Sequence, residues 1–88
     1  MTKDGISFEL TEHARAVLAE RQINLDWVRR VLASPQRTEA DRHDPRLRHA
    51  LGTIDEHDGR ILRVGYTSEE ELVRVVTAFF DRRERRHR

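Results

Sequence analysis

The chain predicts an α+β domain: a short strand, two helices, then a three- or four-stranded antiparallel meander. Three observations predict it. Apolar residues recur at helical spacing through residues 11–34. From Leu47 onward they alternate at period two instead. An Asp58-Gly59 pair, a strong hairpin signal, separates two of the alternating runs.

Each element follows in order. Ile6-Ser7-Phe8-Glu9-Leu10 alternates apolar and polar and reads as a half-buried strand. Thr11 is an N-cap, and Glu12 suits the positive end of the helix dipole. Ala14, Val17 and Leu18 share one face, so the first helix spans about 11–22. Asn24 caps a second helix, about 24–34, with Asp26 in its first turn. Ile23 and Val28 form a hydrophobic staple across its start. Trp27, Val28, Val31 and Leu32 make the buried stripe. Ser34-Pro35 ends it, because the residue before proline leaves helical geometry.

Gln36 to Arg42 is polar and only weakly strand-like, and His43-Asp44-Pro45 is a turn signal. Leu47, His49, Leu51 and Thr53 alternate with Arg48, Ala50, Gly52 and Ile54 as a strand. Asp58-Gly59 turns the chain into a return strand of Ile61, Leu62, Val64 and Tyr66. Thr67 to Glu71 is a polar connection. Leu72 to Phe80 is β-branched, aromatic and apolar on both faces, as in a central strand. Two helices then cover one face of the sheet and leave the other for function or a partner. Val17, Leu18, Trp27, Val31, Leu32, Leu62, Val64 and Val76 are the expected core.

The 88 residues suffice for a single domain, 1–88, with a basic tail from Arg82 to Arg88. Only 36% are hydrophobic and 38% are charged, so the core is thin. Such a domain has little room for an internal cofactor, and none is expected. There is no cysteine, which excludes disulfides, thiol catalysis and Cys-zinc sites. No apolar run approaches the roughly 18 residues of a membrane span. The N-terminus lacks a basic-then-apolar signal layout, so the expected location is cytoplasmic.

Net charge is +1, but sixteen of the seventeen basic residues are arginine. Five lie in the last seven positions, including Arg82, Arg83, Arg85 and Arg86. Guanidinium forks bind phosphate bidentately, so the tail is a candidate RNA contact. A solvated terminus is the plain alternative. Arg48, Arg63 and Arg74 are flanked by apolar strand positions. Unpaired arginines facing a core are very costly, so all three are expected on the open face or a sheet edge. There they form a basic platform, or pair across strands with acids such as Glu39 and Asp41. His13, at the second position of the first helix, meets free N–H groups and the positive dipole end. Both disfavour imidazolium, leaving a neutral ring able to act as general base. His43, His49 and His57 have no metal-ligand spacing, and no metal site is expected.

Several segments resemble a known family. Thr11-Glu12-His13-Ala14, Arg21-Gln22-Ile23, Val28, Val31-Leu32 and Ser34-Pro35 resemble the N-terminal half of the DUF4258 family. Gly59 to Val64, Val75 to Phe79 and Arg82 resemble its second half. Arg60 to Thr67 and Arg82 to Arg86 are also similar to the BrnT toxins, whose opening strand-and-acid motif this chain lacks. The resemblance covers about residues 6 to 86. It implies a RelE/ParE-like fold and metal-independent endoribonuclease activity of the toxin-antitoxin type.

In metal-free RNA cleavage the 2′-hydroxyl attacks the adjacent phosphate. The reaction needs a base, an acid and cations on the crowded phosphorane. His13 is the candidate base, and Arg48, Arg63 and Arg82 are candidate phosphate clamps. Thr77 or Tyr66 can donate a hydrogen bond. Strict alternation puts Thr77 and Arg74 on opposite faces, and the resemblance favours Thr77 as the third catalytic residue beside His13 and Arg63. RNA or the ribosome and a cognate antitoxin are the partners this implies. The other class of function is a non-catalytic RNA- or protein-binding module, whose open face takes a partner or forms a homodimer.

Overall fold

A computed structural model describes residues 7–69 and 71–83. The order is β1 (Phe8–Leu10), α1 (Glu12–Arg21), α2 (Leu25–Ala33), β2 (Arg37–Ala40), β3 (Leu47–Ile54), β4 (Arg60–Glu69) and β5 (Leu72–Phe80). A 3-10 turn, Asp55–His57, joins β3 to β4.

Both helices start where their caps require. Thr11 accepts from the Ala14 N–H at 3.0 Å, and Asn24 accepts from the Asp26 N–H at 2.8 Å. Each bond satisfies a donor that the first helical turn leaves free. Gln22 closes α1 in the left-handed region, at φ 56°. There the Ile23 N–H reaches back to the Leu18 carbonyl at 2.9 Å, and the chain turns sharply enough to bury Ile23. Ile23 and Val28 are both buried, as a staple requires. Ser34, just before Pro35, caps the end of α2.

The sheet is mixed and five-stranded, in the order β1-β5-β4-β3-β2. Strands β2 to β5 form a four-stranded antiparallel meander. The fifth strand is the correction to the expected architecture: β1 joins the sheet in parallel beside β5, pairing Phe8 with Val73 and Leu10 with Val75. The weakly patterned stretch after Pro35 forms the outer strand β2, where residues exposed on both sides suffice. Among the described residues no helix is long and apolar enough to cross a membrane.

The core lies between the helices and one sheet face. Ala14, Leu18, Ile23, Val28, Val31 and Leu32 meet Ala50, Ile54, Leu62, Val64, Val75 and Ala78. Gly52 allows this contact, since a Cβ there would stand 3.1 Å from Val31 Cγ2. Two expected core residues differ: Trp27 and Val76 are only half-buried. Trp27 lies at the rim, with its ring 5.5 Å from His57 and 5.9 Å from Phe80.

Two local corrections shape the other face. The β3–β4 connection is not a two-residue hairpin. Ile54 pairs with Arg60, so five residues form the loop, with Asp58 and Gly59 both at positive φ. Tertiary contacts hold this longer loop: Glu56 ion-pairs with Arg30 of α2 at 2.7 Å, and His57 stacks on Phe80 at 4.5 Å. The second correction is an irregularity at Gly65/Tyr66, where Gly65 pairs with Thr77 but Tyr66 with Val75. The extra residue, Val76, breaks the alternation of β5. Arg74 and Thr77, expected on opposite faces, therefore share the helix-free one.

Candidate nucleic-acid interface

The helix-free face carries a charged network built from four segments. Arg63 of β4 is 8% exposed. Its Nε donates to Asp81 Oδ2 at 2.8 Å, and its Nη1 donates to Glu39 Oε1 at 3.2 Å. The same Nη1 lies 3.0 Å from His49 Nδ1, and His49 Nε2 lies 2.9 Å from Asp41 Oδ1. A guanidinium can only donate, so Nδ1 must accept and the ring proton sits on Nε2, facing Asp41. Asp41, His49 and Arg63 thus form one directed chain.

The acids are held in their charged forms. The backbone N–H groups of Asp44 and His43 bind Asp41 Oδ2 and, with His49, lower its carboxyl to about 2. Arg37, then Arg63, lower Glu39 below its ordinary value. Burial raises the Asp81 carboxyl, but the Arg83 N–H and Arg63 together outweigh it, and the net shift is downward.

Two grooves meet at Phe79, one at the edge of β5 that reaches the end of α1 and one lined by the network itself. One, of about 680 Å³, is lined by Arg21, Ile23, His57, Arg60, Thr77, Phe79, Phe80 and Arg82. The other, of about 450 Å³, is lined by Glu39, Ala40, Asp41, Arg42, His43, His49, Arg63, Phe79 and Arg83. Phe79 belongs to both and stands between them. Arginines therefore lie on either side of a half-buried aromatic ring. Arg21 donates to the Ala78 carbonyl at 3.1 Å, which anchors it beside the first groove.

The residues expected to form one catalytic site are not all brought together. Arg63 and Thr77 share the helix-free face in neighbouring rows, Arg63 beside Phe79 and Thr77 beside Gly65. His13 is exposed on α1, in the layer on the opposite side of the sheet. Arg48 and Tyr66 pair in register, but their parity with Ala50 and Val64 puts them on the helix side. This corrects the open-face placement of Arg48, which avoids the cost of burial by being exposed, 3.3 Å from Thr38 Oγ1. Arg74 lies on the open face and pairs with Glu9 at 3.5 Å. Arg82 and Arg83 each line one groove, while Arg85 and Arg86 lie outside the described residues. The cross-strand alternative holds for Arg63 through Glu39. His57, Arg21, Arg60 and Arg42 are groove residues that periodicity does not single out, whereas strand alternation does put Phe79 and Phe80 on opposite faces.

A family model described as a domain of unknown function, DUF4258, matches residues 10–80. The chain belongs to the DUF4258 family. No curated protein and no solved structure matches it. The DUF4258 match takes in both helices, all of β2 to β5 and most of the groove residues, and it ends at Phe80 before Asp81, Arg82 and Arg83.

Proposed function

We propose that this DUF4258 domain binds single-stranded RNA along the two grooves. The observation that carries the reading is the position of Phe79. Its ring separates Arg21, Arg60 and Arg82 from Arg42 and Arg83. A single strand needs cations along its backbone and an aromatic face for an unstacked base. The arginines of each groove supply the first, and Phe79 supplies the second.

The test is affinity for a labelled oligouridine across a salt series. Each phosphate neutralised on a single strand contributes a log–log slope of about −0.7. An Arg60→Ala/Arg82→Ala variant should weaken binding and flatten the slope by up to about two such steps. Binding that ignores salt, or that the variant leaves unchanged, overturns the reading.

A second reading is metal-independent cleavage of the bound RNA, as in RelE/ParE-like and BrnT-type toxins. His57 favours it. That ring lies in the same groove as Arg21, Arg60, Arg82 and Thr77, and its nitrogens make no hydrogen bond among the described residues. In this reading His57 takes the 2′-hydroxyl proton as the 2′ oxygen attacks phosphorus. The 5′ oxygen leaves with a proton from solvent, giving a 2′,3′-cyclic phosphate. Arg21, Arg60 and Arg82 stabilise the added charge. His57 replaces His13 as base, because His13 lines neither groove and stands at the opposite end of α1 from Arg21. A cytoplasmic toxin of this kind would act on cellular or ribosomal RNA, and a cognate antitoxin would neutralise it by covering the grooves.

A further inference from the structure

Strand β2 ends the sheet, and its outer edge has no neighbour among the described residues. Its hydrogen-bonding phase follows from one contact: the Asp41 N–H bonds inward to the Leu47 carbonyl at 3.0 Å. Antiparallel pairing alternates between bonded and non-bonded pairs. Arg37 and Glu39 therefore exchange their bonds with Leu51 and His49, and Thr38 and Ala40 turn N–H and C=O outward. The sheet's other long edge is different, because Arg21 already occupies the Ala78 carbonyl there.

We infer that a second copy of this chain pairs β2 to β2, antiparallel about Thr38, and joins two five-stranded sheets into one. The charge pattern selects both the occupant and the register. Centred on Thr38, the pairing sets Arg37 opposite Glu39 of the other copy, and Glu39 opposite its Arg37. The two Thr38 residues exchange N–H···O bonds across a two-fold axis. The neighbouring registers fail on charge. Centring on Glu39 sets Glu39 against Glu39, and centring on Ala40 sets Glu39 against Asp41. Opposite charges directly across an antiparallel pair stabilise it, and like charges destabilise it. Arg37 and Glu39 already pair within one copy, at 2.7 Å, so the dimer closes them into a four-membered charge cluster.

The symmetry makes the contact isologous, so it stops at two copies rather than growing into a fibre. Such closure resolves the hazard that an open edge strand presents. The axis runs perpendicular to the sheet, so the Arg63 grooves of both copies open on the same face. One RNA strand that reaches both copies would then be held bivalently. The dimer itself does not depend on RNA binding.

Sedimentation of the full chain over a wide concentration range tests the inference. The wild type should show a reversible monomer–dimer equilibrium that weakens with salt. Arg37→Glu and Glu39→Arg each set like charges across the axis, and each should be monomeric where the wild type is dimeric. An equal mixture of the two should regain the dimer, because every facing pair is again opposite in charge. Thr38→Pro removes the central outward donor and should also abolish association. Glu39→Arg also removes a partner of Arg63, so circular dichroism checks its fold; if it fails to fold, Arg37→Glu and Thr38→Pro decide the matter alone. A wild type monomeric at every concentration, or an Arg37→Glu variant that dimerises as tightly as the wild type, overturns the inference.

Discussion

Arg63 Nε donates to Asp81 Oδ2 at 2.8 Å, and both residues are more than nine-tenths buried on the sheet face that carries no helix. The pair ties β4 to the residue just beyond β5, one position before Arg82. It therefore fixes the exit of the chain between the two grooves. Arg63 also holds Glu39 and His49, so one guanidinium joins β2, β3, β4 and the end of β5.

Removing one partner of a buried pair leaves the other charge uncompensated, at a cost of about 3–5 kcal/mol. Arg63→Met should therefore unfold the domain at markedly lower denaturant than Arg63→Met/Asp81→Asn, which leaves no lone buried carboxylate. Equal midpoints for the single and double variants would show that the pair does not act as a unit. Arg63→Lys should also lose stability, because an ammonium cannot span Asp81, Glu39 and His49 with the geometry of a planar fork.

Acid should loosen both this face, at Asp41, and the contact of the β3–β4 loop with α2, at Glu56. The Asp41 carboxyl lies at about 2 in the folded chain, against an ordinary 3.8, and that of Glu56 at about 2, against 4.5. Asp41 is lowered first by the Asp44 and His43 backbone N–H groups, and Glu56 first by Arg30. A depressed carboxyl stabilises the fold fully above its unfolded value, and that contribution drains away as pH falls through the folded value. Thermal midpoints should thus hold near pH 6 and drop from about pH 4.5 toward pH 2. Asp41→Asn should lower the neutral midpoint and flatten the acid limb. A limb as steep as in the wild type would assign the acid sensitivity elsewhere.

Local rules made the helical half legible. Thr11, Asn24 and Ser34-Pro35 mark boundaries through chemistry within a few residues, and the structure places them within one residue of expectation. Leu32→Ala should accordingly cost roughly 2–5 kcal/mol, as for other buried leucines. The site was less legible because register is not local. A two-residue Asp58-Gly59 turn would set Arg63 opposite Ile54, a core residue, out of step with the open-face parity of Arg63. The five-residue loop sets it opposite Leu51 and beside His49 instead. What lengthens the loop is contact with Arg30, Trp27 and Phe80, all distant in sequence. Likewise the Val76 bulge, which moves Thr77 onto the face of Arg74, is a tertiary feature, set beside the close approach of Thr77 to Gly65. A Cβ there would meet Thr77 Cγ2 at 3.0 Å.

Phe79 separates stacking from charge in the binding reading. Loss of one base–aromatic stack costs about 1–3 kcal/mol. Phe79→Ala should weaken oligouridine binding by that amount and leave the salt slope unchanged, since it removes no cation. Phe79→Trp should retain affinity. A slope that changes with Phe79→Ala would mean that the ring positions arginines rather than a base.

The two histidines decide whether binding leads to cleavage. His57 shares a groove with Arg21, Arg60, Arg82 and Thr77, whereas His13 lines neither groove and sits at the far end of α1 from Arg21. Purified protein, total RNA and a chelator give the assay, with cyclic-phosphate ends as the diagnostic product. Loss of a general base lowers rate by roughly 10²–10⁴. His57→Ala should show that loss, and His13→Ala should cleave as the wild type does. His57 also stacks on Phe80 at 4.5 Å, so His57→Ala can cost stability. His57→Phe keeps an aromatic ring there and removes the nitrogens; it should fold and still not cleave. Cleavage that needs His13 but not His57 would move the chemistry to the first turn of α1. Binding without cleavage by any variant, even with ribosomes supplied, would leave the arginine grooves as a recognition surface alone.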